Sequence, residues 1–239
     1  MNSVYLVWQD YVSRLWHPVA KLTRKDDYFL FNYTKGAAKS ERFKAFVRME
    51  DMSKVYKSND LFPMFKNRII PPNRPEFYKT LEWVNIDKNE YDPLIYLAYT
   101  GGARNTDNYM VIPVPSEIDG SYTFKFLVSG VRYLADDSQT AIESLKTGDT
   151  LNFKFEEGNE FDSNAILLET NEQYKVGYCP RYLAEDFKRL MQNDNLESGA
   201  FTVEKVNLDA PTQFRILCSF STKWPENFIP FVSDDYLAY

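Results

Sequence analysis

The sequence predicts an α+β protein: a small α+β unit followed by a small, partly closed β-barrel with one or two helices. Three observations carry this. Short runs rich in aromatic and β-branched residues recur between polar turns along the 239 residues. Only a few stretches place apolar residues at helical spacing, the clearest following Pro180. Pro113-Val114-Pro115 and Asp119-Gly120 interrupt the pattern near the middle. At 44% hydrophobic residues, the chain can bury one large core or two small ones.

The first half opens with strands over Val4 to Trp8, Trp16 to Leu22 and Tyr28 to Tyr33. Ser40 to Asp51 reads as a helix, because Phe43, Phe46 and Val47 fall at i, i+3 and i+4. Pro75 suits the first turn of a helix running to about Val84, with Phe77, Leu81 and Val84 on one face. Pro93 to Tyr99 and Met110 to Val114 read as strands, joined by a turn at Thr100-Gly101-Gly102. The second half has strands over Tyr122 to Val128, Leu151 to Phe155, Ala165 to Leu168, Tyr174 to Tyr178, Phe201 to Val206 and Gln213 to Phe220. Ala141 to Leu145 is a short helix. Pro180 to about Met191 is a longer one, with Leu183, Phe187, Leu190 and Met191 forming an apolar stripe. The expected boundaries are 1–117 for the first domain, 118–222 for the second and 223–239 for an aromatic tail suited to docking.

Charge is uneven. Residues 1–115 hold 17 Lys and Arg against 13 Asp and Glu, about +4. Residues 116–239 hold 11 against 21, about −10. Such an acidic half argues against sequence-blind wrapping of a duplex, which needs many phosphate contacts. It leaves room for a pocket with one or two cations. In the first half, Lys66, Arg68, Arg74 and Lys79 lie near Phe65, Phe77 and Tyr78, a mixture suited to nucleic-acid or partner contact. Arg104 beside Gly101-Gly102 suits an anion nest.

No catalytic constellation emerges. His17 is the one histidine and has no nucleophile beside it in sequence. Cys179 and Cys218 make no disulfide framework and read as small buried hydrophobes. With one His and two Cys, a typical zinc site cannot close. Glu156, Glu157, Glu160 and Asp162 are hard oxygen donors, but a solvated acidic loop explains them as well. No cofactor is expected. The N-terminus lacks the basic start and apolar run of a signal peptide, and no apolar run approaches a membrane span. A cytoplasmic protein without a membrane partner is the expectation.

Three blocks in the second half carry a family pattern: Val128-Ser129-Gly130-Val131-Arg132-Tyr133, Asn159-Glu160-Phe161-Asp162-Ser163-Asn164-Ala165-Ile166, and Val176-Gly177-Tyr178-Cys179-Pro180-Arg181. In this order and spacing, residues 122–220 resemble a HIRAN domain. The resemblance implies a modified OB-type barrel of bacterial type. It also implies a non-catalytic function, the capture of the 3′ end of single-stranded DNA, in repair or in defence against foreign DNA such as phage. Carried over by position, Arg132 and Tyr133 contact the end nucleotides and Phe161 supports base stacking. Asp162 accepts a hydrogen bond from the terminal 3′-hydroxyl, and Arg181 contacts phosphate. Asn159 and Asn164 belong to the same run. Tyr178 stands where the helicase form of the family has a His, and Phe161 where it has a Tyr. Asp162 and Asn164 also suit a simple Asx turn.

The first half resembles, more loosely, the N-terminal subdomain of HipA-type toxin kinases. The carriers are Val4 to Trp8, Pro18 to Leu22, Tyr28 to Tyr33, Leu61 to Ile69, Gly101-Gly102 and Val111-Ile112-Pro113. This implies an alternative function as a protein-interaction module, a partner or antitoxin of such a kinase. The kinase body itself, with its glycine-rich phosphate loop, is not in this chain.

Overall fold

The computed structural model describes residues 1–104, 106–160, 162–192 and 199–239. They form two compact units. The first comprises Met1–Tyr78, Lys88–Val114 and Ile229–Tyr239; the second comprises Lys79–Asp87 and Pro115–Phe228.

The first unit is built on an antiparallel sheet of β1 (Ser3–Gln9), β2 (Trp16–Arg24), β3 (Phe29–Tyr33), β4 (Tyr56–Ser58) and, after the helices, β5 (Tyr109–Pro113). Strand order is β4-β3-β2-β1-β5. Side chains alternate across a strand. On β1, Val4, Leu6 and Trp8 enter one core with Leu22, Phe31, Phe65 and Leu97. Tyr5 faces the other way and meets the rings of Phe231 and Tyr236 at 5.6 and 4.9 Å. The helices are α1 (Pro63–Lys66), α2 (Pro75–Trp83), whose residues from Lys79 onward belong to the second unit, and α3 (Pro93–Thr100).

Two readings of this half are corrected. Pro93 to Tyr99 is a helix, not a strand. The Asp92 carboxylate accepts the Leu94 and Ile95 amides as an N-cap, Pro93 occupies the first turn, and Gly101 ends the helix at φ 71°. Leu94, Tyr96, Leu97 and Ala98 are all buried, so the run is apolar nearly all round and shows no helical period. Ser40 to Asp51 is irregular, not helical. Ser40 Oγ accepts the Arg42 amide and donates to Asp10, and Arg48 sits at φ 67°, which no helix interior tolerates. Phe43 and Phe46 instead join an aromatic cluster around Phe31 and Tyr33.

Residues read as the later part of a docking tail belong to the first unit. Thr34 pairs with Ala238 as an isolated bridge, and the Lys35 and Tyr239 amides donate to the Leu237 and Tyr33 carbonyls. Lys39 pairs with Asp235 at 3.3 Å.

The second unit is a six-stranded antiparallel sheet with order β6-β11-β10-β7-β8-β9. Its strands are β6 (Ser121–Leu127), β7 (Thr150–Phe155), β8 (Ile166–Glu169), β9 (Lys175–Tyr178), β10 (Ala200–Val206) and β11 (Ile216–Lys223). Its helices are α4 (Asp136–Ser144) and α5 (Arg181–Gln192). The sheet curls as a half-barrel, the partly closed, OB-like form that the sequence predicts. Its edge strands meet through a single residue pair, Ser129 with Tyr178. Phe187 of α5 seals the core, with its ring 4.4 Å from Phe220, 5.7 Å from Phe201 and 5.8 Å from Phe126. The two thiols are buried there, and burial pushes both well above the usual thiol range. No helix of the described residues is long and apolar enough to cross a membrane.

Two outcomes follow from this packing. Phe187→Ala removes a fully buried ring and should cost about 3–5 kcal/mol, read as a lower urea midpoint. At the β1–β2 hairpin, buried Asp10 accepts from Ser40 Oγ at 2.6 Å and from the Val12 amide at 2.8 Å, and pairs with Arg42. The Ser40 hydrogen bond and then the Val12 amide hold its carboxyl far below the usual range. A depressed carboxylate stabilises the fold above its unfolded pKa of about 3.9 and loses that contribution as pH falls. The melting-temperature gap between wild type and Asp10→Ala should therefore be full at pH 7 and shrink below about pH 4.

Candidate nucleic-acid interface

The seam that closes the second unit also gathers its chemistry. Ser129 and Tyr178 exchange two backbone hydrogen bonds, of 2.8 and 2.9 Å. Gly177, just before Tyr178, makes this approach possible. Its φ is 135°, and a Cβ there would lie 2.5 Å from both the Ser129 carbonyl oxygen and Val128 Cγ1. On the other side, Gly130 at φ 80° lies under the Tyr178 ring, where a Cβ would be 3.2 Å from Cδ2. With both positions open, the chain leaving β6 and the chain leaving β9 run side by side.

Each strand of the seam leads straight into candidate residues. After Gly130, a single 3-10 turn, Val131–Tyr133, buries Val131 and exposes Arg132 and Tyr133. Tyr133 is 81% exposed, and the Arg132 guanidinium lies 5.2 Å from its ring centroid. After Tyr178, Cys179 and Pro180 are buried, and Arg181 opens α5 with its side chain about half exposed.

A loop between β7 and β8 supplies the acids. Asn159 Oδ1 accepts the Asp162 amide at 3.0 Å, and Asp162 Oδ1 accepts the Asn164 amide at 3.0 Å. The Asx-turn reading of Asp162 therefore holds. Asp162 Oδ2 faces Arg181 Nε at 3.9 Å, an ion pair too long for a direct hydrogen bond. Tyr178 donates its hydroxyl to Glu156 Oε2 at 3.0 Å. Burial raises the Tyr178 pKa first, and the Glu156 bond raises it further. Glu156 is held below the ordinary carboxylate range, chiefly by the Asn159 side-chain amide and next by Tyr178.

The structure thus joins Asn159, Asp162, Asn164, Tyr178 and Arg181 in one connected set, with Arg132 and Tyr133 reached across the Ser129–Tyr178 pair. Phe161 lies outside the described residues. Sequence reasoning named Glu156 only as part of a solvated or metal-holding acidic loop and gave Gly177 no role. The cue was Gly177 directly before a half-buried Tyr at a strand end. No group of three or more His, Cys, Asp or Glu among the described residues is arranged to hold a metal ion.

The secondary basic residues fare differently. Lys66, Arg74, Lys79 and Arg104 are exposed. Arg68 is a correction: its side chain is buried, donating to Gly102 O at 2.9 Å and to Asp107 Oδ2 at 2.8 Å, with the guanidinium 5.4 Å from the Tyr109 ring centroid. A guanidinium so enclosed ties the loop around Gly102 and Asp107 to α1 and offers no donor to a phosphate. His17 is buried beside Trp8, and burial lowers its pKa.

Residues 121–224 match the family model of the HIRAN domain. Among solved structures, a protein from Lactobacillus plantarum is 24% identical over 43% of this chain and 97% of its own, with a TM-score of 0.35. The HIRAN domain of human HLTF is 21% identical over 46% of this chain and 79% of its own, with a TM-score of 0.32. No curated protein matches the chain.

Gly177→Ala should force the seam apart. The strain expected is on the order of 1–3 kcal/mol, and the Ser129 and Tyr178 amides should exchange with solvent faster while those of β10 and β11 do not.

Proposed function

We propose that this protein binds DNA through the seam of its HIRAN domain and captures the 3′ end of a single strand there. The observation that carries the reading is the pairing of a half-buried acid, Asp162, with an exposed arginine, Arg181, just after the strand whose backbone partner Ser129 leads into exposed Arg132 and Tyr133. Arg181 and Arg132 are cations with side chains open to solvent, and a guanidinium grips phosphate with a forked, charge-assisted contact. Tyr133 presents a ring on which a base can stack, worth about 1–3 kcal/mol per base. A carboxylate beside phosphate is repulsive unless it reads a hydroxyl. A strand end offers that hydroxyl and an internal phosphate does not. Asp162 is the reader in this proposal, fixed by its own turn and facing Arg181. The exposed cations Lys66, Arg74, Lys79 and Arg104 serve as secondary backbone contacts. The setting is repair or defence against foreign DNA, with binding rather than catalysis as the role.

The test is a titration with single strands ending in a 3′-hydroxyl or a 3′-phosphate. Wild type should prefer the hydroxyl by roughly tenfold, which is about 1.4 kcal/mol. Asp162→Ala should bring the ratio close to one. Arg181→Ala should weaken both strands and reduce the slope of log affinity against log salt by about 0.7, the loss of one phosphate contact. Equal affinity of wild type for both ends would remove the end-reading role, and absence of any binding would remove the DNA reading altogether.

A second reading, docking of a protein partner through the first unit, is favoured by the β1–β2 hairpin. There Tyr11, Val12, Leu15 and Trp16 are 62, 59, 50 and 37% exposed on a loop whose Val12 and Ser13 amides donate to Asp10. Apolar side chains grouped at one tip suit a partner surface. If the partner is a HipA-type kinase body, co-expression should give a complex that Tyr11→Ser with Trp16→Ser disrupts.

A further inference from the structure

We infer that Glu156 is a positioning residue for the end-reading acid: it holds Asp162 in place through Asn159 and ties that loop to the seam through Tyr178. The inference rests on the strand-end reading above and names what controls its selectivity.

Glu156 is well anchored. Its amide donates to the Ala165 carbonyl at 3.0 Å, which fixes it at the base of the loop joining β7 to β8. One carboxylate oxygen, Oε2, then accepts two hydrogen bonds, from Asn159 Nδ2 at 2.6 Å and from the Tyr178 hydroxyl at 3.0 Å. The other oxygen faces Lys175 Nζ at 3.8 Å. With its nitrogen held by Glu156, the Asn159 side-chain amide turns its oxygen to the Asp162 amide at 3.0 Å. Asp162 in turn spends Oδ1 on Asn164 and directs Oδ2 toward Arg181. The relay therefore runs Tyr178, Glu156, Asn159, Asp162, Arg181, and every link is a side chain or amide with a named partner.

The chemistry explains why a carboxylate fills this position. An additional negative charge close to a phosphate-binding arginine weakens phosphate binding. A carboxylate, however, accepts two charge-assisted hydrogen bonds on one oxygen, and these are shorter and stronger than neutral ones. Lys175 offsets part of the charge. A loop placed this way loses less freedom on binding, so the benefit falls on discrimination between strand ends more than on affinity for strands in general.

The experiment uses the full chain with two measurements. The first is the ratio of affinities for 3′-hydroxyl and 3′-phosphate strands. The second is amide hydrogen exchange at Asp162 and Asn164, which needs no ligand. Glu156→Ala should lower the affinity ratio at least fivefold and speed exchange at both amides at least fivefold. Glu156→Gln keeps an acceptor for Asn159 and Tyr178. It should retain most of the ratio while binding all strands two- to threefold more tightly. Asn159→Ala breaks the relay at its next link and should reproduce Glu156→Ala, which keeps the test open if Glu156→Ala fails to fold. Wild-type exchange rates in both alanine variants would overturn the inference, as would an unchanged ratio or a Glu156→Gln protein no better than Glu156→Ala. If wild type shows no end preference, the strand-end reading fails, and the exchange rates alone decide whether Glu156 positions Asp162.

Discussion

The second unit depends on one closure: two backbone hydrogen bonds between Ser129 and Tyr178, where the edges of a six-stranded sheet meet. An open sheet leaves rows of unpaired amides and carbonyls at its edges. Here the curl of the sheet brings β6 and β9 close enough for their ends to satisfy each other. The approach is steric before it is energetic. Only a residue without a Cβ fits between Tyr178 and Val176 against the Ser129 carbonyl, and Gly177 is that residue. The same closure sets Arg132 and Tyr133 on one side and Tyr178 and Arg181 on the other, so the architecture and the proposed interface share a single constraint.

Electrostatics refine what this interface can bind. Residues 116–239 carry a net charge of about −10, yet exposed arginines stand on both sides of the seam. A long strand laid over an acidic surface would be repelled at each phosphate. The charge distribution therefore argues against a long phosphate track over this half of the chain. The buried Arg68 makes the complementary point in the first unit: cations counted from sequence are not all available, because a guanidinium with an Asp and a backbone carbonyl in reach can serve the fold instead.

Much of the fold was legible in the sequence, and the exceptions have physical causes. Some strands of the second half were visible because their side chains alternate between core and surface, as Tyr122, Phe124 and Phe126 do on β6, and others, such as β8, because a short run is buried throughout. The amphipathic stripe of α5 was equally plain. Pro93 to Thr100 misled because burial on nearly all sides erases the helical period; the Asp-Pro start and Gly-Gly end were the informative signals. Ser40 to Asp51 misled in the opposite sense. Its spacing of Phe43 and Phe46 fits a helix, but the Phe46 amide donates to the Tyr33 hydroxyl and Ser40 Oγ to Asp10, and these tertiary hydrogen bonds hold the segment instead. The family blocks marked the residues flanking the seam. The relay through Glu156 was not visible, because it joins residues 22 positions apart through a curl that no local pattern encodes.

The return of Ile229–Tyr239 to the first unit has a consequence for how the molecule comes into being. A ribosome delivers the β1–β2 hairpin early, but the rings of Phe231 and Tyr236 that cover Tyr5 are made more than 220 residues later. One face of the first sheet therefore stays uncovered throughout elongation, while the second unit can assemble as soon as it emerges. Nascent chains would complete the first unit last, and premature termination between residues 228 and 231 would release a molecule whose second unit is whole and whose Tyr5 lacks both of its covering rings.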